Sequence, residues 1–366
     1  MADFIKGLEL CERFFNECAK PIITKHFPHL KYTAGILGYG SDVLGYDDFV
    51  STDHMWGPRF YMFLNPEDIH LKDDIMSALS CELPYSYYGY SVNFSLPDPN
   101  DNGVRRPEFI KKGRVSPLIW IQNIDDYLTE QLGTCALDKL DDFDWLSFSE
   151  HRLLSLTKAY FFTDELGCKD KIAALKFYPH QVKLYLIASN WDIIASEQAF
   201  VKRCGQTDDE VGSRIICARI AERIMRLSFL YSDKYAPYSK WFGRAFNELK
   251  IDEDLKRAIK AALSTTKLEE RENMLLLAQI LTAKCHNNSG LTQSVDFSVE
   301  SYYGRNAKVI FAEKFSQAAK NELKGTALEN MPLMGSFSQF SGLSTLYDEP
   351  SQLKTMKKIY KTFAGL

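Results

Sequence analysis

The 366-residue sequence lacks most of the features that classify a protein at a glance. No apolar run reaches the ~18 residues that a membrane-crossing helix needs, and Met1-Ala2-Asp3-Phe4-Ile5-Lys6 has neither the basic start nor the apolar core of a secretory signal. Charge of one sign is scarce. Forty-four Lys plus Arg against 48 Asp plus Glu leave a net −4, which gives no broad field for nucleic acid or an anionic membrane. There are eight cysteines but no C-x-x-C, since the closest pair, Cys11 and Cys18, lies seven residues apart. Reduced thiols in a cytoplasmic chain are therefore expected. The seven histidines form no H-E-x-x-H, and His26-x-x-His29 reads as a polar helix end. Gly-x-Ser-x-Gly and the P-loop are absent, which leaves a hydrolase elbow and a Walker-type NTPase without candidates. No internal repeat or low-complexity tract is present.

What is present is an ordinary globular composition, 45% hydrophobic and 25% charged, long enough for two or three domains at ~100–200 residues each. Phe4, Leu8, Cys11, Phe15 and Cys18 fall at helical spacing. Residues 32–38 and 58–64 read as strands around a loop rich in Gly, Asp and Ser, a helix is expected between 66 and 79, and 118–121 reads as a further buried strand before a helix at 124–132. Turn formers crowd residues 84–114, a long connection. From about residue 145 the pattern is almost wholly helical, with capping boxes read at Ser147-x-x-Glu150 and Thr266-x-x-Glu269. The expected division is an α/β domain over 1–144 followed by a helical domain over 145–366.

The most informative stretch runs from Gly38 to Arg59. A buried strand entering Gly-x-Gly-Ser, with Gly40 and Ser41, lets backbone amides and a hydroxyl approach a phosphate. Asp53 follows 12 residues after Ser41, just before a second apolar strand, where a carboxylate suits Mg²⁺. Arg219, Arg223 and Arg226 share one face of a helix over 212–230, open to anion binding or to pairing with Glu222 and Asp209. Lys240 sits between Tyr238 and Trp241 after Pro237, as a triphosphate contact or a lysine lying over the indole. Asp164 precedes Gly167 and reads first as an Asx turn, and Asp209 as a helix cap. The aromatic content is not interleaved with a basic stretch, so a nucleic-acid partner is not expected.

The Gly-Ser turn followed by an acid resembles the nucleotidyltransferase superfamily, and the chain more closely resembles one bacterial nucleotidyltransferase-like family, the domain of unknown function DUF4037. The residues that carry this are Gly40-Ser41-Asp42-Val43-Leu44-Gly45, Asp53-His54-x-Trp56-Gly57-Pro58-Arg59, Gly212-Ser213, Arg219, Met225-Arg226-Leu227, and the run Ala236-Pro237-Tyr238-x-Lys240-Trp241-x-Gly243-x-Ala245-Phe246. His286-Asn287 and Gly335-Ser336-x-x-Gln339-Phe340 add to it. The resemblance implies an α+β protein, a nucleotidyltransferase-like mixed-sheet domain followed by an all-helical one. It also implies NTP·Mg²⁺ binding and transfer of a nucleoside monophosphate to an acceptor hydroxyl. On that basis Asp53, Arg59 and Lys240 are the expected catalytic residues. Gly40, Ser41, Tyr238, Arg219, Arg226 and Asp164 would bind nucleotide, and Asp53 with Asp42 would bind metal. One departure stands out: Met55 occupies the place of the family's second carboxylate, and a thioether is a poor Mg²⁺ ligand. A nucleotide-binding or interaction protein that has lost catalysis is the alternative, and an effector acting on a protein or tRNA acceptor a third.

Overall fold

The computed structural model describes residues 4–52, 55–341 and 350–366. Asp53 and His54 lie outside them. The chain divides into two compact units, one formed by Met1–Lys139 with Arg152–Lys176, the other by Leu140–His151 with Phe177–Leu366.

The first unit is built on a four-stranded sheet of β1 (Tyr32–Ile36), β2 (Arg59–Leu64), β3 (Leu118–Gln122) and β4 (Tyr160–Asp164), in the order β3-β2-β1-β4. β1 is antiparallel to both β2 and β4, whereas β2 and β3 run parallel. Every residue of β1 and β2 is buried, which is why both read as continuous apolar runs rather than alternating ones. β1 contains Gly35 because β4 crosses it closely: a Cβ there would lie 2.8 Å from Phe161 Cα, beside a register shift at Ala34/Gly35. The helices of this unit include α1 (Gly7–Phe14), α2 (Lys20–His26), the single turn α3 (Ser41–Leu44), α4 (Lys72–Glu82) and α5 (Ile124–Leu132). Phe14 and Phe15 close the core over Phe60, with ring centroids 6.3 and 5.3 Å away. α5 is capped at both ends, by Asn123 accepting from Asp125 N and by Gly133 in the left-handed region.

The remaining helices are α6 (Asp142–Ser147), α7 (Glu150–Thr157), α8 (Cys168–Ala173), α9 (His180–Glu197), α10 (Phe200–Gly205) and α11 (Glu210–Tyr231), then α12 (Ser239–Glu248), α13 (Glu253–Ser264), α14 (Leu268–Asn288), α15 (Glu313–Asn321), α16 (Phe337–Phe340) and α17 (Pro350–Phe363). In the second unit α9, α11, α14 and α15 pack together, and Trp191 of α9 stacks on Phe315 of α15 at 4.5 Å. With a mixed sheet in one unit and helices dominating the other, the chain is α+β.

Neither expected capping box forms. Ser147 ends α6 and its hydroxyl donates back to Phe143 O, and a capping box forms instead one helix earlier, from Asp141 and Asp144 at the start of α6. At α14 the hydroxyl used is Thr265, which donates to Glu270 and accepts from Lys267 N. Glu269 turns to Lys202 instead.

Candidate functional site

β1 runs directly into the turn Gly38-Tyr39-Gly40-Ser41, with Gly38 at φ +84° and Gly40 at φ +122°. Glycine is required at position 40, since a Cβ would overlap Asp42 Oδ1 and lie 2.6 Å from Arg59 Nη2. Arg59, the first residue of β2, is 1% exposed. Its Nε donates to Asp42 Oδ2 at 3.1 Å, and its Nη2 donates to Asp42 Oδ1 at 2.8 Å and to Tyr39 O at 2.9 Å. Burial disfavours the guanidinium charge, but the Asp42 carboxylate more than compensates and raises the Arg59 pKa further. The fork thus ties the head of β2 to the turn after β1. Arg59 Nη1 and the Tyr127 hydroxyl are buried here without a hydrogen-bond partner.

The loop that follows is held just as firmly. Asp47, 1% exposed, accepts from Gly7 N at 2.6 Å and Trp56 Nε1 at 3.3 Å, and pairs with Lys6. Trp56 in turn stacks on Phe4 at 5.4 Å. Asp48 Oδ1 accepts from the amides of Val50 and Ser51. The Ser41 hydroxyl donates to Ser51 O at 2.9 Å, so its proton closes the loop. Trp56, Arg59 and the loop acids therefore have a structural use that the motif alone does not reveal.

As a metal site the described part of this loop fits poorly. Asp42 has both oxygens on Arg59, with Val43 N donating to Oδ1 at 2.9 Å, and among the described residues no three His, Cys, Asp or Glu converge. A Mg²⁺ ion needs several free oxygens, and Asp42 has none to give. Met55 stands at φ +44° and accepts a hydrogen bond at Sδ from Tyr39 Oη, 3.6 Å away. On β3, Trp120 lies opposite Tyr61 with the rings stacked at 4.8 Å, and Gln122 lies opposite Phe63.

Asp164 is not brought to this turn. It faces Thr33 near the start of β1, accepts from the Thr33 hydroxyl at 2.6 Å, and takes the amides of Cys168 and Lys169 at the head of α8. Those donors depress its pKa against the effect of burial. Its site is a helix start, at the opposite end of β1 from Gly40.

In the second unit, Arg219 pairs with Glu197 at 2.9 Å, and Arg226 with Glu222 at 2.9 Å while covering the Phe242 ring. Among the described residues Arg223 donates to Gln339 O, at 3.2 Å from both terminal nitrogens. Asp209 caps α11 by accepting from Gly212 N. Lys240 is exposed, its Nζ 5.0 Å from the centre of the Trp241 ring, and the Tyr238 ring packs 4.8 Å from that of His151.

A residue that sequence reasoning gave to a cap proves to be the most buried acid nearby. Glu150, 3% exposed, has Oε2 3.5 Å from Arg226 Nη1. Burial raises its pKa, against the Arg226 charge and an amide hydrogen bond from Ala236. The buried Tyr178 hydroxyl, which feels that carboxylate, has no partner. No local signal marks Glu150, because its partners come from residues far along the chain.

Comparison with known proteins finds likeness over part of the chain. No curated protein matches the chain. The solved structure of a nucleotidyltransferase-like protein from Exiguobacterium sibiricum 255-15 aligns with 75% of this chain and 77% of its own at 10% identity, with a TM-score of 0.32. Residues 145–242 match a family model described as Domain of unknown function (DUF4037). That segment holds Glu150, Arg219, Arg226 and Lys240, and over it the chain is similar to the DUF4037 family.

Proposed function

We propose that the chain is a nucleotide-binding protein of nucleotidyltransferase type, which holds phosphate at the Gly40-Ser41 turn and is weak or silent in nucleoside monophosphate transfer. The observation that carries this reading is the closed state of Asp42, whose oxygens are taken by Arg59 and Val43 N, together with a thioether at Met55. Asp47 and Asp48 are likewise held by protein donors. Asp53, which the sequence motif names, is the acid proposed to serve a cation, and one carboxylate holds Mg²⁺ loosely. Arg59, placed under the turn, acts as the strut that shapes it rather than as a phosphate contact.

The test is to titrate ATP, GTP, CTP and UTP with and without Mg²⁺ while following thermal unfolding, and then to assay pyrophosphate release from labelled NTP. Binding of at least one nucleotide with little dependence on Mg²⁺, and no pyrophosphate, is expected. Rapid Mg²⁺-dependent release that disappears in Asp53→Ala would establish a working transferase instead. Stabilisation by no nucleotide would remove the reading altogether.

A further inference from the structure

The long connection between α4 and β3 is the part of the first unit with the most ordered foundation and the most exposed tip. Its base is a buried polar lattice. Arg105 gives its guanidinium nitrogens to the carbonyls of Phe94, Ser95, Ser116 and Pro117 and to the Ser116 hydroxyl, with no carboxylate among them. Asn93, 6% exposed, donates to Glu108 O and accepts from Ser116 N, while Ser91 Oγ donates to Asn93 O and Glu108 O. Phe94 of this base reaches Gly57, where a Cβ would lie 3.1 Å from the ring. Tyr39 and Arg105 also influence each other's titration. The connection is thereby anchored beside the Gly38–Arg59 loop.

From this base projects Arg106-Pro107-Glu108-Phe109-Ile110-Lys111-Lys112-Gly113-Arg114. Phe109 is 70% exposed. Lys111, Lys112 and Arg114 are exposed and form no ion pair among the described residues, whereas Arg106 pairs with Asp101 at 2.8 Å. Counting Arg105, ten residues carry five positive charges and one negative in a chain whose net charge is −4. Lys111, Lys112 and the Phe109 ring have no hydrogen bond, ion pair or ring contact among the described residues, whereas Arg114 donates to Ser77 Oγ at 3.4 Å, and the lattice beneath them lowers their ordering cost on binding.

We propose that Arg105–Arg114 is a binding surface for single-stranded nucleic acid, with Lys111, Lys112 and Arg114 on phosphodiesters and Phe109 stacked on a base. A polar, basic strip with one protruding ring suits alternating phosphates and π-faces. Binding to an anionic bilayer surface is the alternative outcome of the test.

The test is fluorescence anisotropy of a labelled 12-nucleotide single-stranded RNA with the full chain, at several salt concentrations, next to flotation with phosphatidylcholine vesicles containing phosphatidylglycerol. The expected outcome is RNA binding whose log–log salt slope is about −2, as for roughly three phosphate contacts on a single strand. Lys111→Glu with Lys112→Glu is expected to weaken it at least tenfold, and Phe109→Ala several-fold, as loss of one stacked base entails. These side chains touch nothing in the core, so circular dichroism and melting should match the wild type. Absence of RNA binding, binding indifferent to either variant, or retention by the vesicles but not by RNA would each overturn the proposal.

Discussion

Arg59 and Asp42 form a two-pronged, fully buried ion pair between the head of β2 and the turn that follows β1. Removing one partner strands the other's charge, so Asp42→Ala and Arg59→Ala should each cost about 3–5 kcal/mol in urea unfolding of the chain. Arg59→Lys keeps the charge but loses the fork, and should recover less than half of that loss. A stability near wild type in Arg59→Ala would return Arg59 to the role of a phosphate contact.

Gly40 should accept no side chain. Gly40→Ala meets Asp42 and Arg59 at once, in backbone geometry that L-residues rarely adopt. A loss of about 1–3 kcal/mol is expected from strain alone, with weaker nucleotide stabilisation in the same thermal assay. Gly45→Ala is the control: it too has a positive φ but no atom within 4 Å of the added carbon, so its loss should be the smaller.

Met55 occupies left-handed backbone at φ +44°, where Asp and Asn are several-fold favoured among non-glycine residues. Met55→Asp should therefore leave the melting temperature unchanged or raise it by a few degrees. If the protein is a degenerate transferase, the same substitution should give a Mg²⁺-dependent shift in nucleotide titrations. A neutral result there would place the metal acids elsewhere.

His286 is wholly buried, with Tyr231 Oη 2.9 Å from Nδ1 and Thr292 Oγ1 2.8 Å from Nε2, and Trp191 Nε1 donates to the same Tyr231 oxygen. Burial lowers its pKa from 6.5 to about 4. The unfolded chain then binds the proton better, so the contribution is complete above about pH 6.5 and is lost as pH falls toward 4. Urea unfolding at pH 5 should show a deficit of about 2 kcal/mol relative to pH 8 from this group, absent in His286→Asn.

Glu150 works with the opposite sign. Its folded pKa is raised by burial, so its contribution is complete below the ordinary carboxylate range and erodes as pH rises through it. Glu150→Gln should remove that erosion, and Arg226→Met should deepen it by leaving the carboxylate without its cation. Unfolding curves of the two variants across pH 4 to 8 measure the difference.

The sheet was legible from the sequence because β1, β2 and β3 are local apolar runs ended by turn chemistry, and α5 because Asn123 and Gly133 mark both its ends. The capping boxes at Ser147 and Thr266 were misread, since several neighbouring hydroxyls and carboxylates compete and only geometry chooses among them. The Gly40-Ser41 turn was legible as a motif, but the use of Asp42 was not. A carboxylate has the same letter whether it awaits a cation from solution or already holds Arg59. The lattice under Arg105 escaped notice for a related reason: its partners are backbone carbonyls, which leave no trace in residue identity.

The pairing of β1 with β4 sets Ile36 against Tyr160 and Thr33 against Asp164. A ribosome adding about 5–20 residues per second needs roughly 6–25 s to travel from one strand to the other. During that interval β1 offers a bare, mostly apolar edge of the kind that recruits other chains. The Thr33–Asp164 bond then acts as a late latch, and losses at this position should appear first as poor yield from the cell rather than as a lower melting point of the material that survives.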